Sequence, residues 1–216
     1  MLSIIICSVN KTLFDSLESN IAESIGILYE IVKIDNSTNQ FSLAGAYNHG
    51  GKMAKYDYLL FLHEDVKFLS KDWGGELLKV LKNDSIGIVG ISGAVYKSAY
   101  PSTWSMIPNE YYRVNALQLK KDGSRNHHRI LDDKNANYSE VAVLDGVFLS
   151  MRKDVYLNCR FNEADLRGFH FYDLDISVRI GSRYKLAVIH DVLLEHFSEG
   201  VLSKTWAREA IKEHRR

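Results

Sequence analysis

Proline is almost absent from this 216-residue chain, and the only two, Pro101 and Pro108, fall in one stretch whose character differs from the rest. Cysteine is as scarce: Cys7 lies in an apolar run, Cys159 lies far from it, and neither belongs to a Cys-x-x-Cys spacing. Two such residues make no disulfide framework and read as packed thiols in a reducing compartment. A surplus of one charge is missing too, since 27 basic and 27 acidic side chains cancel. A nucleic-acid binder carries a basic excess or stripe, and here only Lys204 to Arg216 is locally basic. No apolar run approaches the ~20 residues of a membrane span. The opening Met1-Leu2-Ser3-Ile4 lacks the positive start of a signal peptide. These absences predict a soluble, cytoplasmic protein with no nucleic-acid partner.

What remains is an ordinary globular composition, 46% hydrophobic and 25% charged, in a length that suits one domain with a large core. Ser3–Val9 is a continuous apolar run rich in β-branched residues, the pattern of a strand buried on both faces. Helical spacing follows in Leu13, Phe14, Leu17, Ile21 and Ile25. The alternation continues with a strand at Tyr29–Ile34, a helix over Ser42–Ala54, a strand at Tyr58–Leu62, a helix over Trp73–Leu81 and a strand at Ile86–Ile91. Such a rhythm predicts an α/β fold with βαβ crossovers, a mostly parallel sheet, and ligands beyond the carboxyl ends of its strands. From Gly93 to Tyr138 aromatic and polar residues mix, and Asp122-Gly123 between Val114–Leu119 and Arg129–Leu131 predicts a hairpin or a long excursion, an insertion that shapes one wall of a cleft. Val141–Met151 is strand-like around Asp145-Gly146, Phe171–Ile180 helical, and Tyr184–Ile189 a further strand leading to Val192–Phe197. No internal repeat or low-complexity segment appears.

Four polar clusters stand at ends of these segments. His63-Glu64-Asp65 follows Tyr58–Leu62, and alternation along a strand turns residues 63 and 65 the same way. A hard divalent cation takes such oxygen ligands and shares them with substrate phosphates; a solvated turn is the alternative. Asp35-Asn36-Ser37 ends the second strand, where an acid accepts hydrogen bonds from a ribose or base, or simply forms an Asx turn. Asp173 and Asp175 fall at a helix start, where they satisfy the dipole or, among Phe169, Phe171 and Tyr172, provide a desolvated general base. Glu195-His196-Phe197-Ser198 offers a histidine that is either a metal ligand or a core residue.

Taken in order over nearly the whole chain, these clusters resemble the family-2 nucleotide-sugar glycosyltransferases with the GT-A fold. Ser3 to Asn10 is similar to that family's opening strand, and Tyr29–Ser37 resembles its second strand, whose terminal acid meets the nucleoside. Ala44-Gly45-Ala46-Tyr47-Asn48-His49-Gly50 is similar to the stretch in which an Asn precedes the helix leading to the metal motif. His63-Glu64-Asp65 occupies the place of the Asp-x-Asp motif, with His63 where an acid is expected. Leu144–Leu149 resembles the acceptor-side strand and turn. Phe161-Asn162-Glu163, Gly168 and Tyr172–Asp175 resemble the block that ends in an acidic pair.

The resemblance implies a nucleotide-binding half over 1–92, an excursion over 93–140 and an acceptor and catalytic half over 141–216, all one domain. It implies an inverting transferase in which Asp173 is the catalytic base and Asp65, His196 and His63 hold Mn²⁺ or Mg²⁺. Ser8, Asp35, Asn36, Asn48, Glu64, Asp145, Gly146, Trp104, Tyr172 and Asp175 would contact substrates, with Trp104 stacking on a sugar. The donor would be a nucleotide-sugar, most simply UDP-linked, and the acceptor a saccharide or lipid-linked hydroxyl in polysaccharide or glycoconjugate synthesis. Lacking a QxxRW-type segment, the chain suits transfer of one sugar. Trp206, Ala210 and Ile211 among basic residues suit a helix that caps the fold with a solvated basic face or, as the lesser alternative, peripheral contact with an anionic membrane on its inner face. Two rivals stand beside this reading. A sugar nucleotidyltransferase needs a Gly-rich loop where the chain has Ser8-Val9-Asn10-Lys11-Thr12. An inactive sugar- or nucleotide-binding module would explain His63.

Overall fold

The structure is a computed structural model that describes residues 1–119, 123–132, 136–197 and 204–214. Asp122, Ser198, Arg215 and Arg216, invoked above, lie outside the described residues. The chain begins with β1 (Leu2–Ser8), α1 (Lys11–Ser24), β2 (Tyr29–Asp35), α2 (Leu43–Met53) and β3 (Tyr58–Leu62). It continues through β4 (Val66–Phe68), α3 (Trp73–Leu81), β5 (Ile86–Gly90) and β6 (Ser92–Ala94). Then come β7 (Tyr112–Leu119), β8 (Arg125–Ile130), β9 (Tyr138–Val141), β10 (Val143–Leu144), β11 (Phe148–Arg152) and α4 (Lys153–Asn158). The last elements are α5 (Tyr172–Gly181), β12 (Lys185–Ile189), β13 (Leu194–His196) and α6 (Lys204–Glu213).

The main sheet has seven strands in the order β2-β1-β3-β11-β5-β12-β9. Strands β2, β1, β3, β5 and β12 run one way, while β11 and β9 pair antiparallel to their neighbours. Its two faces explain why the strands read as unbroken apolar runs. Ile5, Leu59 and Phe61 enter one core with α2, α4 and α5; Ile4, Ile6, Leu60 and Leu62 enter another with α1 and α3. Period-two alternation sends neighbours to opposite faces, so both need apolar side chains. Asn10 starts α1 by accepting from Thr12 and Leu13 amides, and Ser42 starts α2 by accepting from the Gly45 amide at 3.1 Å.

The excursion is not merely a wall. The hairpin is there, formed by β7 and β8, but β7 also joins a second sheet in the order β10-β6-β7-β13-β4. Pairing at long sequence separation builds this sheet, and strands as short as β4 and β6 leave too little periodicity to read. Its consequence is local: antiparallel β13 and β4 set His196 opposite Val66, and the Phe197 amide donates to the Asp65 carbonyl at 2.9 Å. The end of β13 is thereby fastened beside the segment that follows β3. Among the described residues, no helix is long and apolar enough to cross a membrane.

Candidate active site

Beyond the carboxyl end of β3, the His63 amide donates to the Val147 carbonyl at 3.1 Å, joining the acidic cluster to the turn before β11. His63, Asp65 and His196 converge there, with one ligand atom from each lying within 4.8 Å of the others. Asp65 is central: Oδ1 lies 3.8 Å from His63 Nδ1, and Oδ2 lies 3.5 Å from His196 Nε2. Two imidazoles and a carboxylate are a donor set that accepts Mn²⁺ and also suits other first-row divalent ions. Close by, the hydroxyl of fully buried Tyr47 has no hydrogen-bond partner among the described residues and lies in the field of Cys7, Asp65 and Asp173. An unpaired buried hydroxyl is costly and marks this corner as polar ground inside an aromatic core. The residues therefore fit a divalent cation.

A cavity of about 550 Å³ adjoins this cluster, and its lining includes His63, His196, Asp145, Gly146, Tyr172 and Asp173. That size is typical of small-molecule sites. Asp173 occupies the first turn of α5 and accepts from its neighbour's amide, Leu174, at 2.9 Å and from the Gly146 amide at 3.2 Å. Burial and then the Asp145 charge push its carboxyl up to about 7, against the pull of those amides. Asp145 is fixed by the Trp104 indole N–H at 2.5 Å and the Val147 amide at 2.8 Å. For His63, burial holds the ring below its ordinary value, aided by His196 and opposed by Asp65. Burial also works against a charge on His196, but hydrogen bonding and attraction from Asp65 outweigh it and raise that ring.

The helix that delivers Asp173 begins unusually. Phe171 sits in the left-handed region at φ 66° and ψ −3°, a strained conformation for a bulky residue. Its ring packs 5.6 Å from that of Trp206 on α6, which also lines the cavity. Trp206 and buried Ala210 thus face the protein, as a helix capping the fold requires, while Ile211 is exposed.

Not every expected substrate contact reaches the cavity. Asn48 lies within α2 rather than before it, and its side chain binds both backbone groups of Phe161, at 2.8 and 3.2 Å. Asn36 does the same for Phe41, at 3.0 Å each way. Glu64, in the bend between β3 and β4, accepts from the Val9 and Asn10 amides at 3.0 Å and does not line the cavity. Asp175 is one helix turn from its salt-bridge partner Arg179, at 2.5 Å, and does not line the cavity. Ser8 is buried at the end of β1, and Asp35 beside it in register is exposed and accepts from the Ser37 amide at 3.0 Å. Buried polar side chains bound to backbone satisfy groups that loops would otherwise strand. Conversely, Tyr47 and Gln118 were not singled out from sequence, because a helix-facing Tyr and a strand-end Gln look like core and surface.

The mostly parallel seven-stranded sheet, with helices packed on both faces and a histidine–carboxylate cluster beyond its strand ends, is a GT-A fold. The family model described as "Glycosyltransferase like family" matches residues 3–211, and the chain belongs to that family. No curated protein sequence matches it significantly. Among solved structures, it resembles GalNAc-T7 with UDP, GalNAc and Mn²⁺ at a TM-score of 0.62 and 12% identity, over 93% of this chain and 43% of that one. A mannosyltransferase from Pyrobaculum calidifontis, in complex with GDP-Man and Mn²⁺, gives 0.61 and 13%, over 99% of this chain and 62% of that one. The chain thus spans about half the length of these two.

Proposed function

We propose that the chain is a metal-dependent, inverting glycosyltransferase that moves one sugar from a nucleotide-sugar, UDP-linked, to an acceptor hydroxyl. The observation that carries this reading is that Asp173, the Asp145–Gly146 turn and the two histidines that flank Asp65 border a single cavity. His63, Asp65 and His196 would hold Mn²⁺ or Mg²⁺, which neutralises the diphosphate of a departing nucleotide. Asp173 takes the proton from the attacking hydroxyl at Oδ1 or Oδ2, and its raised affinity for protons suits a base working near neutral pH. Asp145, held from both sides, and the Gly146 backbone bound the sugar, while Trp104 offers its ring to the same space. Asp35 is exposed at the end of β2, available to a nucleoside. The acceptor is a saccharide or lipid-linked saccharide of a cell-surface polysaccharide or glycoconjugate.

The reading is tested by incubating the protein with UDP- and GDP-sugars and Mn²⁺, following nucleotide release and thermal stability. A donor that raises the melting temperature only with Mn²⁺ supports it. Silence across all donors would sink it.

A further inference from the structure

The two histidines of the cluster are held in matching ways. His63 turns Nδ1 to Asp65 at 3.8 Å and gives Nε2 to the Tyr172 hydroxyl at 2.7 Å. His196 turns Nε2 to Asp65 at 3.5 Å and gives Nδ1 to Gln118 Oε1 at 3.3 Å. The Gln118 amide is oriented by its own Nε2, which donates to the carbonyls of His196 and Leu119, each at 3.2 Å. Each ring thus shows one nitrogen inward and has a protein oxygen at the other.

A neutral imidazole that ligates through one nitrogen must carry its hydrogen on the other. In a buried site that N–H needs an acceptor. We propose that Tyr172 is a positioning residue for the cation: its hydroxyl accepts the Nε2 hydrogen that His63 must carry when Nδ1 is a ligand. The proposal rests on the metal reading above and gives Tyr172 work other than the substrate contact expected from sequence. Tyr172 is 5% exposed, too enclosed for a broad substrate contact. Its ring passes beneath Gly146, where a Cβ would overlap the hydroxyl and the ring. The left-handed Phe171 immediately before it starts α5 at the angle that sends this side chain toward β3 while Asp173 bonds the Gly146 amide. One dipeptide of α5 would therefore carry both the base and the support of a metal ligand.

Removing the hydroxyl should penalise the metal-bound state selectively. Without an ion, the His63 hydrogen can move to Nδ1, facing Asp65; with an ion there, it cannot. Mn²⁺ affinity, read by electron paramagnetic resonance of free Mn²⁺, should fall 10- to 100-fold in Tyr172→Phe. Gln118→Leu should behave alike through His196, and the metal-free melting temperature of each should change little. A second measurement does not depend on any variant: ¹⁵N spectra of Mg²⁺-loaded wild-type protein should place the His63 hydrogen on Nε2. Wild-type protein that binds no Mn²⁺ would overturn the metal reading and this proposal with it. Wild-type binding matched by Tyr172→Phe, or a His63 hydrogen on Nδ1 in the loaded protein, would overturn the role of Tyr172 alone.

Discussion

The Gly146 amide donates to Asp173 Oδ2 at 3.2 Å, so the turn carrying Asp145 also grips the carboxylate proposed as the base. The same turn therefore does two opposed things. Its amide stabilises the ionised form of Asp173, while the Asp145 charge and burial disfavour it, and burial dominates. The balance leaves a carboxyl that titrates near neutrality.

Asp173→Asn should lower transfer by about 10²- to 10⁴-fold, the usual worth of a positioned base, with donor binding unchanged. In wild-type protein the base must be ionised, so activity should decline as pH falls through about 7. A pH–rate profile flat down to pH 5 would remove Asp173 from that role.

The same shift has a stability consequence of definite sign. The unfolded chain releases this proton near 3.8 and the folded chain near about 7, so the neutral form stabilises the fold fully only below 3.8. That contribution is lost as pH rises to 7. Asp173→Asn does not lose it, so its melting temperature should gain on wild type between pH 4 and 7 and then run parallel. Calorimetry across that range checks the slope.

Asp65 faces both histidines, and Asp65→Asn should abolish any rise in melting temperature with Mn²⁺. In wild type, an ion at a hundred times its dissociation constant should add about 2.7 kcal/mol, reversed by a chelator. Titrations by differential scanning fluorimetry distinguish the two.

Gly146→Ala places a methyl group against Tyr172 and should destabilise by about 1–3 kcal/mol through overpacking. Because Tyr172 carries His63, Mn²⁺ affinity should fall as well. Denaturant unfolding and metal titration on one preparation measure both.

Asn48→Ala separates support from catalysis. It leaves the Phe161 N–H and C=O unpaired in a buried place, at a cost of about 1–3 kcal/mol for each group. The donor KM should stay at its wild-type value at temperatures where the variant is folded. A large rise in KM without loss of stability would restore Asn48 to the donor site.

Much of the fold was legible because it is local. Ile4, Ile5 and Ile6 in succession demanded a strand with two apolar faces, and Phe14, Leu17 and Ile21 demanded a helix lying on one of them. The chemistry-bearing positions were legible as well, since Asp65, Asp145, Asp173 and His196 interrupt apolar segments at their ends. Their partners were not. Asn48 and Asn36 look like ligand-binding amides in sequence, and only the approach of Phe161 and Phe41 shows which backbone groups engage them. Glu64 and Asp65 are both carboxylates beside one strand, and only the strand's exit separates the one that binds the Val9 and Asn10 amides from the one that meets His196.

An alternating α/β chain with acidic strand ends and a late histidine follows from local pattern, because periodicity and strand termini are properties of short segments. Folding alone brings His196 to Asp65, through the pairing of β13 with β4, and passes Tyr172 under Gly146 to His63. Asp65 and His196, like His63 and Tyr172, stand more than a hundred positions apart, and no local pattern encodes which long-range pairing a strand of three residues will make.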